Sequence, residues 1–509
     1  MTHWIIAPVV LPAMLAALII LIARRDLAMQ RALSLIGTLA LGAIAVMLLM
    51  AAASGAVEVY EVGNWRAPFG IVLVLDRLSA LMVMLTAVLA TAVLLYAIGS
   101  GWDGRGKHFH ALFQFQLMGI FGAFLTGDLF NLFVFFEVLL IASYGLMVHG
   151  GGSQRLRAGV QYVIYNLLAS TLFLFALGTI YAVTGTLNMA DLAERAANMP
   201  PDDTALLRVG AVLLFLVFAV KAAILPLHFW LPATYASAPA PVAALFAIMT
   251  KIGAYSILRI YTLVFGPELA ATDGLVGAWL MPSALLTLII GMVGILGAVQ
   301  LNRLVAFAAI GSMGTLLVAI ALFTPEATVA ALYYLIHSTL ATAALFLVAD
   351  LVIERRKKAA GDIVPAAPFP QSGLIASLFF LAAIALAGMP PLSGFVGKLL
   401  VMDAARGSDL VWWIWAVILT TSLIAVVGFA RAGSTLFWKF EDSHGHGQAT
   451  ASPARHHEGL AIAATLGILG GIVLLTVLAE PVNAFLRDTA GQLYAPADYI
   501  GAVLRREQG

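Results

Sequence analysis

The chain has 509 residues, of which 62% are hydrophobic and 10% are charged, and its formal net charge at pH 7 is +1. Soluble domains carry about 25% charged residues, so this composition indicates an integral membrane protein with little length left for a soluble domain. The small net charge gives no indication of nucleic-acid binding, and the lack of cysteine excludes disulfides and cysteine-ligated iron–sulfur clusters. Because the sequence also has no G-x-G-x-x-G and no P-loop motif, we expect no bound cofactor or metal, with any redox or ATP chemistry on partner chains.

The first apolar run precedes its positive charges. In MTHWIIAPVVLPAMLAALIILIARR, Arg24 and Arg25 follow the run, whereas a cleavable signal carries its positive charges in front. We therefore expect an uncleaved first helix whose N-terminus lies outside the cytoplasm.

Fourteen apolar runs predict membrane spans, because a spanning helix takes about 20 apolar residues. In chain order they lie near 4–23, 33–53, 72–98, 109–126, 130–149, 160–184, 205–231, 239–264, 275–299, 304–323, 327–353, 371–402, 411–437 and 459–479. The tail 481–509 has mixed polarity, and we expect it to lie along the membrane surface. The sequence thus predicts an all-α polytopic membrane protein with about 14 transmembrane helices in one transmembrane domain.

Lys and Arg are distributed unequally between the connections. Fourteen of them lie in the odd-numbered connections and seven in the even-numbered connections and the tail, which predicts odd connections in the cytoplasm and both termini outside. One predicted cytoplasmic connection contains four histidines: His444, His446, His456 and His457. Metal binding is one interpretation, but a solvated polar loop is favoured, because nothing nearby fixes a ligand geometry.

Two predicted spans contain prolines that should break their helices. The seventh contains Pro226 and is followed directly by Pro232, and the twelfth contains Pro390 and Pro391. In lipid, broken backbone is tolerated where it is buried in protein or faces a water-filled cavity, and paired breaks in two halves are typical of inverted-repeat transporters. The breaks lie five spans apart, which predicts inverted repeats over spans 4–8 and 9–13. The predicted parts are the N-terminal three helices (1–108), the first repeat (109–264), the second repeat (275–437), and the last helix with the tail (438–509).

Four charged residues fall inside apolar runs: Glu137, Lys221, Lys251 and Lys398. A charge at mid-membrane costs ~2.5–3.5 kcal/mol on insertion scales, and such residues usually line an ion or proton path. Lys221 precedes the first proline break and Lys398 follows the second, an order that suits inverted copies. The alternative, that each lysine merely neutralises the carbonyls of a helix end, does not explain Lys251.

Glu137 lies nine residues after Asp128, which is two and a half helical turns. We therefore expect Asp128 near the external surface and Glu137 inside the membrane. Burial favours the neutral forms of a carboxylate and of a lysine, and pairing restores both charges. A Glu137–Lys221 pair could thus switch when a neighbouring proton arrives, while a permanent structural ion pair is the alternative.

Other titratable residues carry weaker signals. His337 suits a proton relay because imidazole titrates near neutral pH, but a purely structural role is equally open. His228 follows Pro226 and is a weaker candidate. Asp350 is expected near a cytoplasmic helix end and Asp76 at the start of a span, so both are interpreted as boundary residues.

Three stretches resemble a known family: DLFNLFVFFEVLLIASY, KAAILPLHFWLPATYASAPAPVAALFAIMTKIGAYSILRIY and LAGMPPLSGFVGKLL. They are similar to the antiporter-like subunits shared by complex I and Mrp-type cation/proton antiporters, over most of the chain. Within this family the segments FNLFVFFEVLL and FVGKLL most resemble the D subunit of Mrp-type antiporters, in the PhaD-like form.

The resemblance implies a fourteen-helix fold, two inverted five-helix repeats and a buried proton path. It implies a glutamate–lysine pair at Glu137 and Lys221, a central lysine at Lys251, a relay histidine at His337 and a terminal lysine at Lys398. Many relatives carry a lysine four residues after the histidine, where this chain has Ala341; the relay is therefore expected to rely more on His337 and water. The resemblance also implies work within a multi-subunit complex of a bacterial inner membrane.

Three functions compete on the sequence. The first is that of the D subunit in an antiporter that exchanges Na⁺ or K⁺ for protons, and the choice of cation stays open. The second is a proton-pumping subunit of NADH dehydrogenase or a membrane hydrogenase. The third is a membrane scaffold without transport, for which the intramembrane lysines would be dispensable.

Overall fold

The computed structural model describes residues 2–200, 204–267, 269, 272, 274–356, 359–439 and 458–505. Within this part of the chain the backbone forms nineteen α-helices and one two-stranded sheet. The first ten helices are α1 Ala7–Leu21, α2 Leu27–Ala53, α3 Arg77–Ser100, α4 Phe109–Leu125, α5 Leu129–Met147, α6 Ser153–Thr184, α7 Met189–Ala197, α8 Ala205–Lys221, α9 Trp230–Ser237 and α10 Ala240–Leu263. The other nine are α11 Leu275–Gly297, α12 Leu301–Ile320, α13 Pro325–Arg355, α14 Ser372–Ala387, α15 Ser393–Ala404, α16 Val411–Phe437, α17 Glu458–Val477, α18 Ala479–Leu493 and α19 Pro496–Leu504.

Ten of these helices are long and apolar enough to cross a membrane: α2, α3, α5, α6, α10, α11, α12, α13, α16 and α17. Three shorter helices, α1, α4 and α14, are also apolar. A helix satisfies its backbone hydrogen bonds internally, which is what a chain in lipid requires. The chain is therefore an all-helical, multi-pass membrane protein, as its composition predicts.

Two helices lie at the centre of the structure. In α10, every residue from Pro241 to Leu263 is buried. The other central helix, α13, packs against α10, α12, α14, α15 and α17. Because these helices carry Lys251 and His337, both residues are far from the surface of the chain.

Both predicted helix breaks are present. In the first, α8 ends at Lys221 and α9 begins at Trp230; in the second, α14 ends at Ala387 and α15 begins at Ser393. The backbone between the half-helices is irregular, so its polar groups need partners from other elements.

Some segments differ from the sequence prediction. The apolar run near 72–98 begins as a strand: β2 (Val72–Leu75) pairs antiparallel with β1 (Glu58–Glu61), with Glu58 opposite Leu75. A short continuous apolar run does not separate a buried strand from a helix, and Asp76 then starts α3 with a capping box to Ser79. The nine-residue helix α7 lies in a predicted connection, and the tail contains α18 and α19. The histidine-rich loop with His444, His446, His456 and His457 lies outside the described residues.

Candidate functional site

Glu137 lies on α5 and is half-buried within the chain. The hydroxyl of Ser170, on α6, donates a hydrogen bond to Oε1 of Glu137. A hydroxyl donor stabilises a carboxylate more strongly than a neutral acceptor. Helix α6 therefore supplies the group that holds Glu137 in place.

Lys221 is the last residue of α8 and is 8% exposed. Its Nζ donates to Oδ1 of Asn166 on α6 at 2.9 Å and lies 5.8 Å from the centre of the Phe136 ring. Glu137 acts on Lys221 electrostatically, but no direct ion pair joins them in the described part of the chain. The expected pair is thus connected through α6, where the partners Asn166 and Ser170 lie one turn apart.

The first break is stabilised from several sides. The amide of Leu225 donates to Oγ1 of Thr287 on α11 at 2.8 Å, and the indole of Trp230 donates to the carbonyl of Val220 at 3.0 Å. Helix α10 passes so close that a Cβ on Gly253 would lie 2.6 Å from the amide nitrogen of Ala222. These contacts fix the end of α8, and with it the backbone of Lys221.

Lys251 lies in the middle of α10 and is 1% exposed. No hydrogen bond or ion pair joins its ammonium group to any other residue that the structure describes. A buried ammonium without a partner is costly, so water is the natural partner for this group. Its charge acts on His337 of α13.

His337 is fully buried on α13. Its Nδ1 lies 2.8 Å from Oγ of Ser393, at the start of α15, and the carbonyl of Ala385, near the end of α14, also interacts with the ring. Both Lys251 and Lys398 are close enough to act on the ring electrostatically. The ring is therefore held by the starts and ends of the half-helices on either side of the second break.

Lys398 lies on α15, just after the second break. Its Nζ donates to the carbonyl of Ala387 at 2.7 Å and to Oγ of Ser422 on α16 at 2.8 Å. Ala387 is the last residue of α14, so the first contact is with a helix-end carbonyl. This contact agrees with the alternative interpretation, in which the lysine neutralises the carbonyls of a helix end. Gly388, at φ +79°, makes room for the lysine, because a Cβ there would lie 2.6 Å from Cδ of Lys398.

Two residues with weaker sequence signals, Asp350 and His228, are also buried. Asp350 accepts hydrogen bonds from the Tyr96 hydroxyl at 2.8 Å and the Trp102 indole at 2.9 Å. His228 is buried beside the first break, and its Nδ1 has no partner among the described residues.

Asp76 is more than a helix cap. It forms a buried ion pair with Arg259 of α10, with N–O distances of 2.5 and 2.8 Å. The rings of Tyr255 and Tyr499 lie 5.6 and 5.4 Å from the guanidinium carbon. Arg259 has no sequence signal of its own, because it lies near the end of an apolar span where an arginine is ordinarily interfacial.

A second polar cluster lies in the connection between α3 and α4. Asp103 accepts from Nε of Arg31 at 2.6 Å and contacts Nε2 of His110 at 3.1 Å. Burial alone would raise the pKa of Asp103, but the hydrogen bonds from His110 and Arg31 outweigh it and lower that pKa below its ordinary value. These contacts tie α2, α3 and α4 together and are separate from the buried lysines.

The five predicted site residues lie on five different helices, in chain order α5, α8, α10, α13 and α15. Each lysine or histidine with a described contact is bonded to a neutral side chain: Asn166, Ser393 or Ser422. Sequence reasoning missed these partners, together with Ser170. The one available signal was the four-residue spacing of Asn166 and Ser170, which places them on the same face of α6.

Residues 126–425 match the family described as "NADH:quinone oxidoreductase/Mrp antiporter, TM". Over 99% of its length the chain is 38% identical to a protein of Rhizobium meliloti (strain 1021) that is named as the probable D subunit of a K(+)/H(+) antiporter, and 97% of that protein is covered. It is 37% identical to the D subunit of the Na(+)/H(+) antiporter of Bacillus subtilis (strain 168), with 99% of this chain and 100% of that protein covered.

Solved structures of similar fold include a chain of the Mrp complex from Dietzia sp. DQ12-45-1b. It superposes with a TM-score of 0.88 at 28% identity and covers 99% of this chain and 100% of that one. A chain of respiratory complex I from Thermus thermophilus gives a TM-score of 0.77 at 25% identity, with 96% and 99% covered. The chain belongs to the family of membrane subunits that NADH:quinone oxidoreductases and Mrp antiporters share.

Proposed function

We propose that this chain is the D subunit of a multi-subunit Na⁺(K⁺)/H⁺ antiporter and carries protons through Glu137, Lys221, Lys251, His337 and Lys398. The observation that supports this most is that five titratable groups, one each on α5, α8, α10, α13 and α15, are buried or half-buried within the chain. Ionisable residues inside a membrane protein are expensive and mark ion or proton paths. The similarity to antiporter subunits over nearly the full length supports the same function.

The hydrogen-bond partners of Lys221, His337 and Lys398 include neutral side chains, which allow these residues to change their protonation. A proton that reaches the Glu137 end reduces the negative charge near Lys221, which then releases its own proton more readily. The proton can pass through water to Lys251, from there to the ring of His337, and then to Lys398. Among the described residues, no carboxylate forms an ion pair with Lys251 or Lys398. Both lysines can therefore alternate between charged and neutral forms.

A second candidate is a proton-pumping subunit of a redox complex. The structural similarity to complex I and to a chain of the membrane-bound sulfane sulfur reductase, at a TM-score of 0.86 and 25% identity, favours it. The antiporter subunits are closer in sequence, at 38% and 37% identity. The partner subunits would separate the two functions directly.

We also propose fourteen membrane crossings. Each predicted apolar run overlaps at least one helix, provided that α8 with α9, and α14 with α15, each count as one broken crossing. The remaining α7, α18 and α19 would then lie outside the crossings. The similarity to bacterial antiporter subunits supports a bacterial inner-membrane location, and loop charge supports an orientation with both termini outside the cytoplasm.

Repeated contacts support the proposed inverted repeats. A Cβ on Gly119 would clash with the amide nitrogen of Leu139, and a Cβ on Gly291 would clash with the amide nitrogen of Gly311. Both residues of the second pair follow those of the first by 172 residues. The two contacts join α4 to α5 and α11 to α12.

The same interval recurs in other contacts. A Cβ on Gly122 would clash with the ring of Phe135, and one on Gly294 would clash with the ring of Phe307. The hydroxyls of Ser143 and Tyr162 lie 3.0 Å apart, and 172 residues later the Tyr334 hydroxyl interacts with Thr315. These contacts support equivalence of α4–α5–α6 with α11–α12–α13.

The first experiment is purification of the chain with its native partners without denaturation. The proposed function predicts small antiporter subunits among the co-purifying chains and Na⁺- or K⁺-dependent collapse of ΔpH in inverted vesicles. Glu137→Ala should nearly abolish this exchange, whereas Glu326→Ala, at an exposed glutamate on α13, should leave it unchanged. Co-purifying redox subunits with cysteine motifs, and no cation-dependent exchange, would support the second candidate instead.

A further inference from the structure

Asn166 is a buried amide in the middle of an apolar helix. It lies on α6 and is 2% exposed, and a buried amide is costly unless it is hydrogen-bonded. Its Nδ2 donates to the carbonyl of Tyr162 at 2.9 Å, and its Oδ1 accepts from Nζ of Lys221 at 2.9 Å. Because a carbonyl oxygen can only accept, the contact with Tyr162 fixes which end of the amide faces the lysine. Asn166 is therefore oriented by its own helix to offer an oxygen to Lys221.

Lys221 has a different kind of partner from the lysine at the second break. Lys398 donates to a helix-end carbonyl, that of Ala387, at 2.7 Å. Lys221 also lies at a helix end, but its ammonium donates to the side chain of Asn166 and to no backbone carbonyl that the structure describes. Burying a lysine at a helix break thus does not in itself require Asn166.

The same face of α6 also bonds Glu137. Ser170 lies one turn beyond Asn166, is 6% exposed, and donates its hydroxyl to Glu137. The hydroxyl of Thr179, on the same helix, shows the ordinary alternative, because it donates back to the carbonyl of Phe175 at 2.8 Å. Helix α6 therefore presents an acceptor to the lysine and a donor to the glutamate, and each contact favours the charged form of its partner.

Glu137 is the charged residue that acts on Lys221 within the described chain. Helix α8 packs on α6, α10 and α11, and Phe136 of α5 lies near the ammonium. Besides Glu137, the titratable residues of these helices and of the first break are Tyr144, Arg155, Arg157, Tyr162, Tyr165, Tyr181, His228, Lys251, Tyr255, Arg259 and Tyr261. The charge of Lys221 is therefore governed by two groups, the carboxylate within electrostatic reach and the amide that bonds it.

We propose that Asn166 is a positioning residue of the proton path, which holds the ammonium of Lys221 with a neutral oxygen so that the charge of Glu137 decides when the lysine releases its proton. This rests on the proposed function and adds a residue that the path did not include. When a proton neutralises Glu137, the amide alone does not retain the ammonium, and the proton passes from Nζ to a water molecule. Asn166 itself neither gains nor loses a proton, whereas a carboxylate in its place would retain the ammonium.

Two substitutions of Asn166 should move the pH profile of exchange in opposite directions. The measurement is ΔpH-driven cation exchange by the intact complex in inverted vesicles, followed along the limb of the profile that rises with pH. Asn166→Asp keeps the shape but favours the ammonium, and should move this limb about one to three pH units higher. Asn166→Leu removes the acceptor and disfavours the ammonium, and should move the limb about one pH unit lower.

Two further variants on α6 provide matched controls. Gln154→Glu makes the same change from amide to carboxylate at an exposed residue near the start of the helix. Thr179→Val removes a hydroxyl that is bonded to backbone. Both should keep the profile of the unmodified complex. If one of the two Asn166 variants fails to assemble on native gels, the other still decides, because each has its own direction of shift.

A purely structural amide gives a different result. Both Asn166 variants would then keep the position of the profile, at the full rate or at a uniformly lower one, or would both fail to assemble. Either outcome would overturn the positioning role, as would shifts in the same direction or an equal shift in Gln154→Glu. Lys221→Ala measured alongside separates the two proposals, because full exchange in that variant would reject the proton path itself.

Discussion

Lys221 and Glu137 are connected through one turn of α6 and not by a direct ion pair. Lys221 bonds Asn166 at 2.9 Å, and Glu137 accepts from Ser170, four residues further along the same helix. A direct buried pair would hold both charges tightly. The intervening amide and hydroxyl keep the two charges within electrostatic reach of each other without a direct ion pair.

Glu137→Ala and Lys221→Ala should each nearly abolish cation exchange in vesicles while the complex still assembles. Removing either charge leaves the other buried without its electrostatic counterpart, so the switching step is lost in both cases. The double variant should be little slower than either single variant, because residues that act as a unit are non-additive. Lys439→Ala, at an exposed lysine, is the control, and normal exchange by either single variant would reject the switching pair.

The orientation can be checked with single cysteines, because the chain has none of its own. Arg66 and Ala367 are exposed residues in the second and eleventh connections. An impermeant thiol reagent added to whole cells should label Arg66→Cys and not Ala367→Cys, and in inverted vesicles the pattern should reverse. Labelling of Ala367→Cys from outside whole cells would mean that the proposed orientation is wrong.

The buried pair of Asp76 and Arg259 should matter for stability. The two side chains are 2% and 5% exposed, and removing one partner of such a pair typically costs about 3–5 kcal/mol. We expect Arg259→Ala to lower the apparent Tm of the detergent-solubilised complex clearly, and Asp76→Leu combined with Arg259→Met to recover much of the loss. The exposed pair of Arg406 and Asp403 provides the control.

That control has a simple expectation. The side chains of Arg406 and Asp403 are 71% and 64% exposed, and exposed ion pairs contribute little. Asp403→Asn should therefore leave the Tm within error of the unmodified complex. A similar small effect for Arg259→Ala would show that the buried pair does not hold α3 against α10.

The membrane class and the predicted site residues follow from the sequence because their physical cost is large. A lysine inside an apolar run, such as Lys251, or a proline inside a span, such as Pro226, stands out against the requirements of lipid. These features predicted the helical class and the two breaks, and they selected the four charged residues proposed for the path, whereas His337 was added because imidazole titrates near neutral pH.

The hydrogen-bond partners could not be predicted in the same way. Serines and threonines in apolar helices usually bond their own backbone, as Thr179 does with Phe175 at 2.8 Å. Apart from its four-residue spacing from Asn166, nothing in the sequence distinguishes Ser170 from such residues. Arg259 and Asp76 are 183 residues apart, so their pairing depends on how α3 packs against α10.

The sequence also could not decide whether the start of the third apolar run forms a strand or a helix. Val72–Leu75 are uniformly apolar and β-branched or leucine, a pattern that suits a buried strand and a helix equally. The strand forms because β1 supplies a partner across a connection of ten residues, Val62–Ile71. The proposed repeats were predicted from the paired helix breaks, but the interval of 172 residues between equivalent contacts became apparent only from the packing of α4 on α5 and of α11 on α12.

The central claim is that the buried lysines carry protons, and Lys398 tests it most directly. Its ammonium bonds one carbonyl and one hydroxyl, from Ala387 and Ser422, so a permanent positive charge would also suit the site. Lys398→Arg keeps that charge, but a guanidinium does not release its proton in the working range. The measurement is ΔpH-driven cation exchange in inverted vesicles between about pH 7 and 9, where an arginine stays charged, with assembly checked on native gels. The proton path predicts that Lys398→Arg fails almost as completely as Lys398→Ala, whereas full exchange by an assembled Lys398→Arg complex would contradict it.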